Sequence, residues 1–188
     1  MSARLEELLL ERSVRRGAFL LASGQRSSYY IDCRLTTMSA EGMVVVGRAG
    51  LAAIRRAGWR ASAIGGLTLG ADPVAYAIAA ASYLDGAPID AFTVRKEPKE
   101  HGTKRLIEGN FTSGAVAVVV EDVITSGTSA RRAIAAVEAE GGSVVGVLAI
   151  VDREQGGKQA LEEAGYEVVA LTTARSLGLT NHGQTESS

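Results

Sequence analysis

Between residues 116 and 129 the chain reads VAVVVEDVITSGTS, and three kinds of group in it could do chemistry. Glu121 and Asp122 are adjacent carboxylates. Thr125, Ser126, Thr128 and Ser129 place four hydroxyls around Gly127. A helix starting in this turn adds unpaired backbone N–H groups and the positive end of its dipole, which together make a seat for an anion such as phosphate. The acids cannot hold that anion. They suit hydroxyls, or a metal bound to the same ligand. The stretch therefore offers a phosphate seat with sugar-hydroxyl acceptors at its edge. Strand–acid–turn–helix also occurs in α/β proteins with no ligand there, Gly127 then serving as a tight turn and Thr128 as an N-cap. The loop is neither GxxxxGK[ST] nor GxGxxG, so neither of those phosphate signatures applies.

A second group of charges lies in Arg95–Gly114, RKEPKEHGTKRLIEGNFTSG. Arg95, Lys96, Lys99, His101, Lys104 and Arg105 make it locally cationic, diluted by Glu97, Glu100 and Glu108. Pro98 and Gly102 discourage a continuous helix. A loop of this length in a compact domain is usually a lid, a binding loop or disordered. A solvated charged surface is the plain alternative. Beside an anion seat, a basic lid closing over a polyphosphate would gain charge-assisted hydrogen bonds and expel water. Arg153 follows a third apolar run, flanked by Asp152 and Glu154, with which it could simply pair.

Elements that would position these groups can be read from periodicity. Val116–Val120 is β-branched, as in a strand buried on both faces. Ala130, Ala133, Ile134 and Val137 recur at helical spacing after it, and Gly141–Gly142 stops that helix. Ala61–Ile64, Ile89–Val94, Val144–Val151 and Glu167–Leu171 are further strands. Helices are expected from Ser39, as cap, to about Ala57; from Asp72, as cap, with Pro73 at the first helical position; and over Lys158–Ala164. Leu5, Leu8, Leu9 and Arg12 give a short amphipathic first helix. Ala18–Ala22 and Tyr29–Asp32 read as two strands around a polar turn. Alternation of strands and helices implies an open, mainly parallel sheet flanked by helices, with right-handed crossovers. Ligands then bind beyond the carboxyl ends of the strands. Gly65–Gly70, Glu121–Ser129 and Asp152–Arg153 should share that edge.

The size, 188 residues, fits one domain: a small N-terminal hood over about 1–35, a core over about 36–178 and a polar tail at 179–188. Net charge is −1, which favours neither nucleic acid nor acidic membranes as partners. Cys33 is the single cysteine, so no intrachain disulfide can form and a reducing compartment fits. No Cys/His cluster suggests structural zinc. Leu8–Leu10 is too short for a signal peptide, and Ala61–Leu84 is interrupted by Gly65, Gly66, Asp72 and Pro73. The expectation is a cytoplasmic protein.

Taken together, RKEPKEHG, VAVVVEDVITSGTS, GGLTLGADP, AIVDREQGG and LLASGQRSSYYID resemble the orotate phosphoribosyltransferases, members of the type I phosphoribosyltransferase family. The likeness runs from about Leu5 to Gly178. It implies the type I fold and a homodimer whose basic loop reaches the neighbour's site. It implies transfer of ribose 5-phosphate from phosphoribosyl pyrophosphate (PRPP) to orotate, with Mg²⁺ carried by PRPP and no metal held directly by the protein. Carried onto this chain, Thr125, Ser126, Gly127, Thr128 and Ser129 would seat the 5′-phosphate. Glu121 and Asp122 would accept from the ribose hydroxyls. Arg95, Lys96, Lys99 and His101 would meet the pyrophosphate, with Gly66–Gly70 lining its other side. Arg153, with Thr125 nearby, would bind orotate. Lys96, Lys99, His101 and Asp122 would be the catalytic set. Many relatives carry lysine where this chain has Ala22 and Leu69, and Glu121 replaces a more usual Asp. Transfer to another base, a nucleic-acid-binding regulator or a generic phosphate-binding domain are the competing readings.

Overall fold

The computed structural model describes residues 2–20, 26–97 and 105–179. A six-stranded sheet forms the centre, in the order β5-β4-β3-β6-β7-β8. Its strands are β3 (Ala63–Leu67), β4 (Asp90–Val94), β5 (Ile107–Gly109), β6 (Val116–Ile124), β7 (Ser143–Asp152) and β8 (Val168–Thr173). All neighbours run parallel except β5, which is antiparallel to β4. The open, mainly parallel sheet expected from the alternation is therefore present.

Strand alternation divides the core into two layers. Val118 and Val120 of β6 and Leu148 and Ile150 of β7 point to one face. There they meet Val46 and Ile54 of α3 (Ala40–Arg56) and Val74 and Ile78 of α4 (Ala71–Leu84). Ala117, Val119, Val147 and Ala149 point to the other. These pack on Ala130, Ala133, Ile134 and Val137 of α5 (Thr128–Ala139) and Leu161 of α6 (Gly157–Glu163). Each fully buried Val or Leu contributes roughly 1.5–3 kcal/mol, so the sheet centre is where stability concentrates.

The hood comprises α1 (Ser2–Leu8), a π-helical turn at Leu9–Ser13, the antiparallel pair β1 (Val14–Leu20) and β2 (Arg26–Ile31), and α2 (Arg34–Thr37). It is tied down by buried hydroxyls: Ser13 and Thr36 lie 2.7 Å apart, and Thr36 donates to the Leu8 carbonyl at 3.1 Å.

Four expectations need correction. The hood strands begin earlier than Ala18 and Tyr29, because Arg15 and Arg16 are exposed ladder residues and Ser27 is a buried one, which hides the apolar alternation. β6 continues past Val120: Glu121 pairs with Ala149 and Ile124 with Asp152, so both acids sit inside the ladder. The long Arg95–Gly114 connection returns along β4 as β5. Finally, Gly70 caps α4 and Asp72 lies within the first turn, accepting from Thr68 Oγ1 at 2.6 Å and Thr93 Oγ1 at 2.9 Å. Ser39 does cap α3, its hydroxyl accepting from Gly42 N at 3.1 Å.

Candidate active site

The carboxyl ends of β3, β6 and β7 open onto one cleft of about 330 Å³, walled by Lys96, Glu121, Asp122, Thr125, Ser129 and Arg153. Six of the residues singled out from sequence thus converge. Leu67–Gly70, and Tyr30–Asp32 of the hood with Arg34, belong to the same lining. A larger groove of about 640 Å³ lies between α3 and α4, but Met43, Val44, Leu51, Tyr76 and Leu84 dominate it. The smaller cleft holds the convergent polar groups, so chemistry belongs there.

Gly127 builds the floor. It adopts a left-handed φ of 75° at the α5 N-cap, a conformation that side chains resist. This turn directs the first N–H groups of α5 outward and leaves Ser126 and Thr128 with hydroxyls 3.0 Å apart. Ser129 bonds the Glu121 side chain. Burial, then the neighbouring Asp122 charge, push the Glu121 carboxyl up to about 8 from its ordinary 4.5. Asp122 is also raised by burial, although the Val123 N–H at 2.9 Å and the Arg34 charge oppose this. Gly70 faces Asp122 so closely that a Cβ there would lie 2.6 Å from its carboxylate.

Arg153 is buried, with 8% of its surface exposed. Its guanidinium carbon sits 4.8 Å from the centre of the Tyr29 ring, and Nη2 reaches Ser27 Oγ only at 3.4 Å. Nε is buried with no hydrogen-bond partner. The local pairing that sequence allowed is not made. Asp152 Oδ1 accepts from Glu154 N at 2.8 Å, and Glu154 faces Arg175 at 3.4 Å. A desolvated cation with a spare donor is costly in isolation and is satisfied by an anionic ligand.

Other expected residues fall differently. Arg95 is outside the cleft walls, its Nε donating to the Glu97 carbonyl at 3.2 Å and its Nη1 3.7 Å from Glu108. Lys99 and His101 lie outside the described residues, as does Ala22. Lys96 lines the cleft, and Arg132 of α5 holds its carbonyl at 2.6 Å. Gly66 belongs to β3, leaving Leu67–Gly70 as the lining segment. Among the described residues no group of three or more His, Cys, Asp or Glu could hold a metal ion. Asp32 and Arg34 were not singled out from sequence. Their only signal is the D-x-R spacing at the end of β2, which lets Arg34 fold back on Asp32 with bonds of 2.8 and 2.9 Å.

No family model matches the chain. The orotate phosphoribosyltransferase of Rhodopirellula baltica is 43% identical over 181 residues, covering 94% of each chain. That of Aquifex aeolicus is 44% identical over 171 residues, covering 89% of this chain and 92% of its own. This chain belongs to the orotate phosphoribosyltransferase family. Among solved structures of the family, the Mycobacterium tuberculosis H37Rv orotate phosphoribosyltransferase in complex with PRPP superposes with a TM-score of 0.79 at 42% identity, covering 95% of this chain and 99% of that one. The type I phosphoribosyltransferase fold read from the sequence is thereby established, hood included.

Proposed function

We infer that the chain transfers the phosphoribosyl group of PRPP to orotate, giving orotidine 5′-monophosphate and pyrophosphate in pyrimidine nucleotide synthesis. The observation that carries this is the buried, unpartnered Arg153 Nε in the same cleft as the carboxylate pair and the α5 N-terminus. A planar guanidinium matches a carboxylate, and orotate is the pyrimidine base that carries one.

Thr125 to Ser129 receive the 5′-phosphate, using the α5 N–H groups and the turn hydroxyls. Glu121 and Asp122 accept from the ribose hydroxyls, and whichever is ionised holds negative charge beside a sugar that becomes cationic as its C1–O bond breaks. Lys96, with Arg95, Lys99 and His101 from the loop, meets the diphosphate whose charge grows in that step. Mg²⁺ arrives as part of the substrate, bound to the diphosphate, where it neutralises leaving-group charge. The two adjacent carboxylates fit hydroxyls and a substrate-borne cation better than a resident metal. Arg153 orients orotate, whose ring nitrogen then attacks C1, and closure of the loop excludes water.

The working unit we assign is a homodimer in which the basic loop serves the neighbouring subunit. The groove between α3 and α4 supports the pairing of two subunits, since Val44, Tyr76 and Leu84 are exposed around it and a contiguous apolar face is usually covered. No described helix is long and apolar enough to cross a membrane. A cytoplasmic setting accords with the one cysteine, which is buried and free.

Following ultraviolet absorbance on mixing the protein with PRPP and Mg²⁺ tests the assignment. Orotate should be consumed, while uracil, adenine and hypoxanthine in parallel reactions should not. Consumption of another base with orotate untouched would overturn it.

A further inference from the structure

Arg34 has no role in the scheme above, yet it forms part of the cleft wall. β2 ends at Ile31, and Asp32 is anchored by its N–H to the Ser13 carbonyl at 2.9 Å. Asp32 then grips Arg34 through Nε–Oδ1 at 2.8 Å and Nη2–Oδ2 at 2.9 Å, and takes the Arg34 backbone N–H at 3.1 Å. One edge of the guanidinium is thereby fixed. Nη1 has no protein partner among the described residues, so the fork is oriented by one edge with donors left over.

The neighbours of the two carboxylates locate Arg34 along the ligand. Glu121 bonds Ser129, on the α5 side. Asp122 instead lies against Gly70 and within the field of Arg34 and Asp32. Arg34 therefore stands across the carboxylate pair from the phosphate seat, beside Thr68, Leu69 and Gly70. This is where the second anionic end of a ligand spanning the cleft must lie. The Thr68–Gly70 segment beside it offers no charge: Leu69 is 52% exposed and apolar. Asp32 and Asp122 add negative charge that, with Arg153 given to orotate, Lys96 alone in the described lining would otherwise have to offset for a polyphosphate.

We propose that Arg34, oriented by Asp32, binds the diphosphate of PRPP and supplies the positive charge that Leu69 does not. This rests on the transferase reading for the ligand's identity. The shared place of Arg34 and Leu69 in the lining near Asp122 makes the two positions interchangeable as sources of charge, so a lysine at 69 should substitute for the arginine at 34.

Titration with Mg²⁺–PRPP, without base, tests it against titration with ribose 5-phosphate, which lacks the diphosphate. Arg34→Ala should weaken PRPP about tenfold to a hundredfold, the range for losing a charge-assisted hydrogen bond. Ribose 5-phosphate should stay within about twofold. Adding Leu69→Lys to Arg34→Ala should recover about tenfold of the PRPP affinity. If Arg34→Ala does not fold, Asp32→Asn serves instead, weakening PRPP about tenfold by freeing the fork while sparing ribose 5-phosphate. Unchanged PRPP affinity, equal weakening of both ligands, or a double variant no better than the single one overturns the proposal. Failure of the transferase reading appears separately, as wild-type protein that leaves orotate unconsumed.

Discussion

Arg153 lies over the Tyr29 ring at 4.8 Å, so a residue just past β7 and a residue of the hood strand β2 are in contact. The ring lies against the guanidinium, while Nε is left without a partner. If Arg153 receives the base as proposed, removing its side chain deletes a recognition element. Arg153→Ala should lower kcat/KM for orotate by about 10²-fold, in line with losing hydrogen bonds to a charged group, and Arg153→Lys should recover little of it. The KM for PRPP should stay within about twofold by the same reasoning, because the contact is to the base. Initial-rate measurements with each substrate varied in turn would show this. Equal loss toward both substrates would contradict the assignment.

Glu121 makes stability depend on pH in an unusual direction. Its folded-state proton is retained up to about 8, against an ordinary 4.5. Below the lower value both folded and unfolded chains hold the proton. Between the two values the unfolded chain releases it first, so stability falls as pH rises, by on the order of 1 kcal/mol per pH unit. Above about 8 the contribution levels off. Glu121→Gln should therefore be more stable than the parent at pH 8 and equally stable near pH 4, as urea unfolding at both pH values would reveal. In the free enzyme the ionised form is the better hydroxyl acceptor. The pH profile of kcat/KM for PRPP should accordingly rise toward about 8, and that limb should vanish in Glu121→Gln.

Much of this site was legible in the sequence because strand ends and turn chemistry are local. VAVVVEDVITSGTS carries a buried strand, a glycine turn and a helix start within fourteen residues, and all three are found. What periodicity could not give was where hydrogen-bonded pairing stops. β6 runs on through Glu121 and Asp122 because β7 continues to pair with it, a property of the neighbour. Asp72 reads as a helix cap, but partners from Thr68 and Thr93, the latter on another strand, claim its carboxylate. Arg34 was illegible for the same reason: its proposed role comes from the cleft it lines.

Gly70 and Asp122 provide a steric test of the ribose end. A methyl group at position 70 would sit 2.6 Å from the carboxylate, closer than carbon and oxygen tolerate. Since α4 begins at Ala71, its first turn cannot easily retreat, and Asp122 must move. Gly70→Ala should cut kcat/KM for PRPP by about 10²-fold, the cost expected when a catalytic contact is misplaced by about 1 Å. Phosphate binding at the α5 turn should survive. A titration with inorganic phosphate would separate the two, and a loss of both ligands would instead indicate that the cleft had collapsed.

The proposed sharing of the loop across a dimer makes a prediction that no single-site variant can. Lys99→Ala alone should lower kcat by about 10²–10³, as for loss of one transition-state donor. Asp122→Asn alone should disable the ribose end of its own subunit's cleft. When the two variants are mixed, unfolded and refolded together, half the dimers should be mixed by chance. In a mixed dimer the Lys99→Ala subunit keeps an intact Asp122 and receives an intact Lys99 from its partner. The other cleft has neither a working Asp122 nor its partner's lysine. One site in each mixed dimer should work, restoring about a quarter of parental activity for a two-fold symmetric pair. If the loop served its own subunit, each cleft in the mixture would carry one defect and activity would stay at the level of the single variants. Sedimentation of Leu84→Glu provides the companion measurement. A carboxylate planted on the exposed apolar groove should shift the protein toward monomer, and, with the loop reaching across, the same variant should lose activity as it dissociates.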